Sequence, residues 1–385
     1  MKENMYNHSK RRDLYNRFLE YVYLIIRWMF RIIIKKPYYF YSLIKNKSLW
    51  DHPSYYPEKT RKSKYRILLD QIKCILFYGM PNKYYFMYGQ DVKFGNDYSN
   101  YVQYIPFSER RDKLNLMNNN GSLCLLRNKF FFGALCDKLG ICSPENIAIV
   151  NGNSVFDINR RCTIDLYTFV NRKNEDFFCK QIDGECGRGI FILKIKEGVA
   201  IIDEKHFSID ELITMINGAT YLFQKKIVQH DEVNLLYRNS INTIRLVTVR
   251  NLKTGKITVF PSIIRVGANG NEVDNTSQGG IAVGFDLDTG QLHKFGFYKP
   301  QFGLKIEKHP NSGVVFENFK IPYILQAKEQ AMLLHSMLTD IHSIGWDIAI
   351  GKNGPIFIEG NDNWEINGPQ VGNYGLKKEF QENFF

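Results

Sequence analysis

Two acidic side chains and one amide near the C-terminus have the spacing of a metal site. Segment 345–361 contains two apolar runs around a Gly-Lys-Asn-Gly turn, which predicts a β-hairpin. A turn centred on Asn353 sets Asp347 opposite Glu359, and Asn361, two residues further on, points to the same side. Opposed carboxylates lie about 4.5–5.5 Å apart and repel each other. These three oxygen ligands suit Mg²⁺; the alternative is an exposed hairpin with two ordinary acids.

A second stretch has the composition of a phosphate-binding loop. A predicted strand containing Lys180 runs into a glycine-rich loop, and another strand leaves it. Glycines let backbone N–H groups approach phosphate oxygens closely, and Lys180 and Arg188 can reach the same phosphates. A Walker loop continues as a helix, so that motif is excluded. The alternatives are an ordinary tight turn and a surface lysine. The loop residues assigned to phosphate binding are Gly184, Glu185, Gly187, Arg188 and Gly189.

Two arginines interrupt apolar predicted strands. Arg245 lies within 241–249 and Arg265 near the end of 256–266. A buried guanidinium needs an anion, either a structural carboxylate or a substrate phosphate. We favour the substrate phosphate, which makes both arginines, together with Lys180, candidate catalytic residues.

The elements that must position these residues alternate between helix and strand from residue 124 onwards. Helices are predicted at 125–139, 208–217 and 322–341. Strands are predicted at 147–150, 176–181, 190–194, 220–224, 240–249, 256–266 and 280–285. Upstream, a helix and an aromatic-rich turn region are predicted over 63–90, and 91–123 is polar and irregular.

Composition excludes several classes of protein. The 385 residues are enough for two or three domains, and 44% apolar and 23% charged residues are ordinary for a folded protein. The seven cysteines are odd in number and none forms a Cys-x-x-Cys pair, so neither a zinc site nor a disulfide framework is indicated. A reducing cytosol is the expected compartment.

The positive charge is concentrated at the N-terminus. Residues 1–75 hold 17 Lys or Arg against 6 Asp or Glu, a net +11 out of +12 for the whole chain. An anionic partner of this segment is therefore expected, either phospholipid headgroups or nucleic acid. No nucleic-acid-binding motif accompanies the charges, so no nucleic acid is expected.

Residues 16–36 predict an amphipathic helix. Its longest uncharged run, 21–26, is too short to span a bilayer, and no small-residue cleavage site follows it. Two interpretations stay open: an in-plane anchor on the inner face of the cytoplasmic membrane, or a core helix. Its charged residues share one narrow face: Arg17, Glu20, Arg27, Arg31 and Lys35.

The order of these features resembles the ATP-grasp superfamily. A lysine-bearing strand, a glycine-rich flap and a late Asp…Glu-x-Asn hairpin follow one another over about 165 residues. The resemblance implies an α+β fold in which two subdomains, 124–230 and 231–385, grip ATP between antiparallel sheets. It also implies ATP and Mg²⁺ as cofactors. Residues 1–90 form a basic helical extension and 91–123 a linker, without the α/β domain that precedes the grasp in many relatives.

Further segments share this likeness and imply roles for their residues. Asn128 opens a helix similar to one whose lysine contacts phosphate, and segment 221–228 looks like the strand that holds adenine. The chain departs from the usual pattern at Gln224, where the family commonly has Glu, and at His230. The residues that the likeness assigns to ATP are Lys129, Gln224, Lys225, Lys226, Ile227, and Asp231 or Glu232 for the ribose.

The segment from Arg265 to Gly280, through Asn275, looks like that of ligases adding glutamate to protein tails, where Arg and Asn lie near the γ-phosphate and the acceptor. Segments 240–249 and 345–361 resemble a narrower branch, the sugar-transfer-associated ATP-grasp proteins of polysaccharide synthesis. The likeness covers about 125–370. It implies a carboxylate–amine ligase joining a uronic-acid sugar to an amino acid or amine. The alternatives are a kinase of a sugar hydroxyl and a nucleotide-bound scaffold.

Four other side chains near these segments have weaker claims. His230 is expected to cap or pack, and Cys186 lacks the neighbours of a nucleophile. Trp364 and Glu365 follow the hairpin, and a packing role and a place in the acceptor pocket are equally open.

Overall fold

The computed structural model describes residues 22–23, 26, 29–93, 100–102, 121–184 and 189–384. Residues 16–21, 24, 25, 27 and 28 of the predicted helix 16–36, and most of the predicted linker 91–123, lie outside these residues. The same holds for Glu185, Cys186, Gly187 and Arg188 of the predicted flap. The chain divides into two compact units, Met1–Arg110 and Arg111–Phe385.

The first unit is helical. A short π-helix, Arg31–Lys35, leads into the helix Lys36–Lys45, and a 3₁₀ turn follows at Lys47–Leu49. The predicted helix beginning near residue 63 is confirmed as Lys64–Tyr78. The Ser63 side chain caps its start by accepting from the Arg66 N–H. No helix among the described residues is long and apolar enough to cross a membrane.

The second unit contains two antiparallel sheets. The first has eight strands in the order β3-β2-β1-β8-β4-β5-β6-β7, and the second has seven in the order β13-β12-β11-β10-β9-β14-β15. The strands of the first sheet are β1 Asn146–Asn151, β2 Ser154–Asp157, β3 Cys162–Asp165, β4 Asp176–Gln181, β5 Phe191–Lys196, β6 Val199–Ile202, β7 Lys205–Phe207 and β8 Thr220–Lys225. Those of the second are β9 Thr243–Arg250, β10 Ile257–Val266, β11 Ile281–Phe285, β12 Leu292–Phe297, β13 Lys305–Ile306, β14 Ser343–Gly351 and β15 Gly354–Asn361.

Each sheet has its own hydrophobic core. In the first core, Phe177 and Phe223 of the sheet pack with Phe169 of an adjacent helix. The second core lies against the other sheet and includes Trp346 and Phe357. The helices of this unit are Leu123–Arg127, Lys129–Lys138, Leu166–Arg172, Ile209–Ile216, Asp231–Leu236, Ile324–Met337, Asn367–Gly372 and Lys377–Phe384. The α+β architecture expected from the sequence is therefore confirmed.

The helix predicted over 125–139 is two helices. Asn128 stands at the break, and its side chain accepts hydrogen bonds from the N–H groups of Phe130 (3.0 Å) and Phe131 (3.1 Å). An Asn in this position favours a new helix start over helix continuation. Leu126 and Phe132 of the pair belong to the core of the second sheet, although the predicted boundary groups residues 124–145 with the first.

Other predicted elements have shifted limits. The helix predicted over 322–341 is shorter, Ile324–Met337. It begins at Ile324 because Tyr323 adopts a left-handed conformation with φ of 57°. The helix predicted at 208–217 is confirmed, with a capping box between Ser208 and Glu211. Short strands such as β2, β6 and β13 gave no sequence signal, because two to four residues are too few to show an alternating pattern.

Candidate active site

The predicted C-terminal hairpin is confirmed as β14 and β15. Asp347 pairs with Glu359 across the two strands, as the sequence indicated. The loop of the hairpin has two residues, and with regular pairing it would place Ile358, not Glu359, opposite Asp347. Glu359 would then lie on the same side of the sheet as Phe357. One extra residue on β15, Ile358, restores the pair: Ile348 faces Phe357, whereas Asp347 faces Glu359. This bulge moves Glu359 onto the polar face of the sheet.

Both arginines on this face bind Asp347. Arg245 lies directly beside it on β9 and donates from Nε to Oδ1 (2.5 Å) and from Nη2 to Oδ2 (3.0 Å). Arg265 on β10 reaches Oδ2 at 3.0 Å. Burial alone would raise the pKa of Asp347, but the two guanidinium groups outweigh it and hold that pKa far below its ordinary value. Of the two predicted anions for Arg245, the structure supplies a carboxylate.

A third carboxylate, Asp274, completes this cluster and was missed by the sequence reasoning. The side chain and backbone N–H of Thr243 both donate to it, and Arg265 approaches it at 3.5 Å. Burial raises the pKa of Asp274 in spite of Arg265. The sequence shows only that an acid, Asp274, directly precedes the motif residue Asn275; its burial and its contact with Arg265 appear only in the structure.

Glu359 lies in a different electrostatic environment from Asp347. Burial raises its pKa, and the nearby Asp347 charge raises it further. Asn361 donates from Nδ2 to Glu359 Oε1 and to the Gly345 carbonyl, both at 3.3 Å. Among the described residues, no group of three His, Cys, Asp or Glu side chains could hold a metal ion. The oxygen donors on this face are therefore two carboxylates, Asp347 and Glu359, and the amide of Asn361. Asp347 already pairs with two arginines, whereas the Glu359 carboxylate forms no ion pair among the described residues; buried oxygen donors of this kind fit a hard divalent cation such as Mg²⁺.

Lys180 is a buried cation that faces Glu359 from the other sheet. Its side chain on β4 is 3% exposed, which excludes the surface-lysine alternative. Among the described residues, no carboxylate forms an ion pair with its Nζ atom. Burial lowers the pKa of Lys180 to about 8, Glu359 counteracts this, and Lys129 adds to it. Lys180 and Lys129 therefore lie close enough to repel each other.

Lys129 joins the first helix pair to the base of the predicted flap. Its backbone N–H donates to the Ile182 carbonyl (2.9 Å), and its Nζ donates to the Gly184 carbonyl (2.6 Å). Gly189, at the far end of the loop, has φ of 67°. Just before this helix, Arg127 binds Asp362 through two hydrogen bonds of 3.1 and 2.7 Å. The lysine helix is thereby tied to the residue that follows Asn361.

The predicted adenine-binding segment connects the two sheets. Gln224 and Lys225 end β8, and the Gln224 side chain is buried, with Nε2 donating to Asn146 Oδ1 (2.7 Å). Lys226 and Ile227 lie beyond the strand. The His230 N–H then bonds to the Ile350 carbonyl of β14 (2.8 Å). The segment therefore crosses between the two subdomains within a few residues.

The residues after this segment are placed as follows. Asp231 and Glu232 lie in the first turn of the helix Asp231–Leu236. His230 caps that helix by accepting from the Glu232 N–H, in agreement with the capping role expected for it. Trp364 is buried and donates to Ser343 Oγ (2.9 Å), so it packs against the sheet, whereas Glu365 is exposed and accepts from Asn367 (2.7 Å).

The Asn275 loop is held in shape by glycine. The Asn275 side chain accepts from the Ser277 N–H (3.0 Å), and its carbonyl accepts from Gly280 (3.1 Å). A Cβ atom on Gly280 would lie 2.1 Å from the Asp274 carbonyl oxygen. Only glycine fits there, and the tight loop sets Asn275 beside the Asp274–Arg265 cluster.

Comparison with known sequences identifies one family. Residues 109–383 match the profile described as sugar-transfer associated ATP-grasp. A search of curated proteins found no match.

Solved structures with partly similar backbones include one synthetase and two ligases. N5-carboxyaminoimidazole ribonucleotide synthetase from Thermotoga maritima is 17% identical, with 66% of this chain and 48% of that one covered and a TM-score of 0.35. L-amino acid ligase from Bacillus licheniformis is 11% identical, with 64% and 42% covered and a TM-score of 0.35. D-alanine–D-alanine ligase from Helicobacter pylori is 15% identical, with 68% and 56% covered and a TM-score of 0.35. The chain thus spans about half the length of these proteins.

Proposed function

The chain belongs to the sugar-transfer associated ATP-grasp family, and from this premise we propose that it is an ATP-dependent carboxylate–amine ligase. One observation carries the proposal: buried Lys180, near Lys129, faces Glu359 from the opposite sheet. The Lys180 ammonium forms no ion pair with a carboxylate among the described residues and is repelled by Lys129, which favours a bound anion beside it, and a polyphosphate satisfies that requirement.

Triphosphate binding is assigned to both sides of the cleft. Lys129 and Lys180 hold phosphate oxygens as point charges, and the glycine-rich flap covers them with backbone N–H groups. The backbone of 224–227 contacts adenine, which its position between the two sheets supports. Asp231 or Glu232 takes the ribose. The flap residues in this proposal are Gly184, Glu185, Gly187, Arg188 and Gly189.

Asp347, Glu359 and Asn361 would hold Mg²⁺. Burial and, after it, the Asp347 charge raise the pKa of Glu359, and a bound cation would offset both effects, which supports this assignment. When bound, the ion neutralises phosphate charge during transfer. Asp347 has a second role: it fixes Arg245 and Arg265 in place, so that their remaining N–H groups are aligned before substrate arrives.

The proposed chemistry has two steps. A substrate carboxylate oxygen attacks the γ-phosphorus, the bond to the β-phosphate oxygen breaks, and ADP leaves. An amine then attacks the acyl carbon, the bond to phosphate breaks, and an amide forms with loss of a proton. Arg245, Arg265 and Asn275 stabilise the acyl-phosphate, because phosphoryl transfer depends chiefly on positioning and charge compensation.

For the substrates we propose a uronic acid of a capsular or other surface polysaccharide, or its precursor, and an amino acid or simple amine. The family description, which associates these proteins with sugar transfer, supports the sugar. A buried arginine pair suits a carboxylate substrate whose total negative charge grows when it is converted into an acyl phosphate.

Isotope transfer tests the ligase directly. A uronic acid labelled with ¹⁸O in its carboxylate is incubated with ATP, Mg²⁺ and a panel of amino acids. We expect ADP release that requires both substrates, a product with the mass of the amide, and one ¹⁸O atom in the released phosphate. ADP release with phosphate retained on a sugar hydroxyl would replace the ligase by a kinase.

A nucleotide-bound scaffold is the remaining alternative. Cellular complementation with Asp347→Asn and Glu359→Gln distinguishes it, because a scaffold needs no phosphoryl transfer. Asp203→Asn, an exposed turn position with φ of 48°, is the matched charge-removing control. We expect the two site variants to fail and the control to function. Full function of both site variants would establish the scaffold.

A further inference from the structure

The first unit exposes a row of large apolar side chains. The exposed apolar side chains described between Tyr23 and Ile44 range in exposure from 46% for Phe30 to 76% for Ile44. In the helix Lys36–Lys45, only Leu43 is buried. Single exposed apolar residues are normal, but a contiguous set is typical of an interaction surface. We call this set the apolar helix face: Tyr23, Ile26, Met29, Phe30, Ile33, Ile34, Tyr38, Tyr41 and Ile44.

The apolar helix face continues onto the neighbouring helix of the same unit. Lys36 donates from Nζ to the Leu76 carbonyl (2.9 Å), which brings the end of Lys64–Tyr78 alongside. Leu76 and Phe77 are 50% and 78% exposed there. The apolar surface is therefore wider than one helix at this point.

The charge of this segment has one sign. Between Glu20 and Asp51 the chain contains six Lys or Arg and no Asp or Glu. Two of the lysines lie over aromatic rings of the apolar helix face: Lys35 is 5.9 Å from the Phe30 ring and Lys45 is 5.7 Å from the Tyr41 ring. Cations beside exposed aromatic rings can contact headgroups while the rings enter the acyl boundary.

We propose that the apolar helix face binds the surface of an anionic phospholipid bilayer. The two surfaces are complementary: the segment between Glu20 and Asp51 offers apolar side chains with only Lys and Arg as charged residues, and an anionic bilayer offers acyl chains beneath negative headgroups. From Met29 to Ile44 the described backbone is continuously helical, about 24 Å of helix, which suits a broad planar partner. The inference is independent of the ligase proposal, since it uses only residues of the first unit.

Vesicle co-sedimentation of the full chain tests the proposal. We expect binding to vesicles of 70% phosphatidylcholine and 30% phosphatidylglycerol to exceed binding to pure phosphatidylcholine by about tenfold or more, and to fall as salt rises. Ile33→Ser/Ile34→Ser should lower the partition coefficient on the order of tenfold. Lys45→Gln/Lys47→Gln should weaken binding to the anionic vesicles alone.

Leu252→Ser is the matched control, because Leu252 is 52% exposed and lies in the second unit. An unchanged far-UV circular dichroism spectrum and an unchanged Tm show that each variant is folded. Equal binding of the Ile33/Ile34 double variant and the wild type would overturn the proposal. So would sedimentation velocity showing that the apolar helix face holds two copies together and that anionic vesicles bind neither form.

Discussion

Neutralising the two opposed carboxylates of the hairpin should change stability in opposite directions. Asp347 and Glu359 are adjacent on β14 and β15, yet the pKa of Asp347 is lowered and that of Glu359 is raised. In the absence of nucleotide and Mg²⁺, the folded protein therefore stabilises one negative charge and opposes the other. Asp347→Asn should destabilise the fold, and Glu359→Gln should leave it unchanged or stabilise it.

The structure sets the size of the first effect. Asp347→Asn removes the anion from two largely buried guanidinium groups, at 2.5 and 3.0 Å from Arg245 and 3.0 Å from Arg265. Leaving a buried charge without its partner costs about 3–5 kcal/mol. Arg265 keeps Asp274 at 3.5 Å, so we expect a loss near the lower limit, about 3 kcal/mol.

The second effect is smaller and depends on pH. Glutamine has the shape of Glu359 and carries no charge, so Glu359→Gln should add about 0–1 kcal/mol at pH 7.5. Because the pKa of Glu359 is higher in the folded state than in the unfolded state, its ionisation lowers the free energy of unfolding at pH values above the unfolded-state pKa. The advantage of the variant should therefore vanish as the pH falls towards about 4, where wild-type Glu359 is protonated.

Thermal unfolding followed by circular dichroism measures both. For a unit of this size, about 1 kcal/mol shifts Tm by roughly 2–4 °C. Asp347→Asn should lower Tm by about 6–12 °C and Glu359→Gln should raise it by up to about 4 °C. Equal and large losses in both variants would refute the reasoning, because they would show that the protein holds the two charges alike.

Three further predictions use other residues. The lowered pKa of Lys180, about 8, predicts that ADP affinity measured by calorimetry weakens as the pH rises from 7 to 9. Lys180→Met should bind ADP more weakly than the wild type at pH 7, and its affinity should not change with pH. Gly280→Ala should abolish turnover, since the new Cβ would lie 2.1 Å from a carbonyl oxygen, whereas Gly121→Ala, with open space around it, should leave turnover unchanged. Burial lowers the pKa of His335 and of His342 to about 4, so their contribution to unfolding free energy should be lost as pH falls from about 6.5 to 4, with a slope up to about 2.7 kcal/mol per pH unit.

Each of these has a contradicting outcome. A pH-independent ADP affinity would show that Lys180 does not contact the phosphates. Full turnover by Gly280→Ala would show that the Asn275 loop can open without loss. For the histidines, the double variant His335→Gln/His342→Gln should have a flatter profile than the wild type in urea unfolding at pH 7, 6 and 5. Identical slopes would contradict the assignment.

The sequence predicted best where the signal was local. Strand β4, Asp176–Gln181, has the predicted limits, and the opposition of Asp347 and Glu359 is confirmed. That opposition follows from alternation within one hairpin, which a single stretch of sequence contains. The turn was assumed to be centred on Asn353 but is centred between Lys352 and Asn353, and the extra residue Ile358 on β15 makes up for this difference.

Contacts between distant segments could not be predicted in the same way. Arg245 and Asp347 are neighbours because β9 pairs with β14, about 100 residues away, and no local pattern reports that pairing. For the same reason the sequence left the anion of Arg245 open and missed Asp274. Leu126 packs against Gly360 of the hairpin, where a Cβ would lie 2.7 Å from the leucine, and only the folded chain shows this.

The extra residue at Ile358 restricts how the hairpin can change length in related chains. Adding or deleting one residue between the turn and Glu359 would exchange the two sides of the strand, bringing Phe357 or its replacement to the polar side and Glu359 into the apolar interior. Insertions at the turn that lengthen both strands together keep the sides unchanged. Relatives with an altered tip should therefore differ by even numbers of residues, and an odd difference would mark a chain that has lost the carboxylate pair.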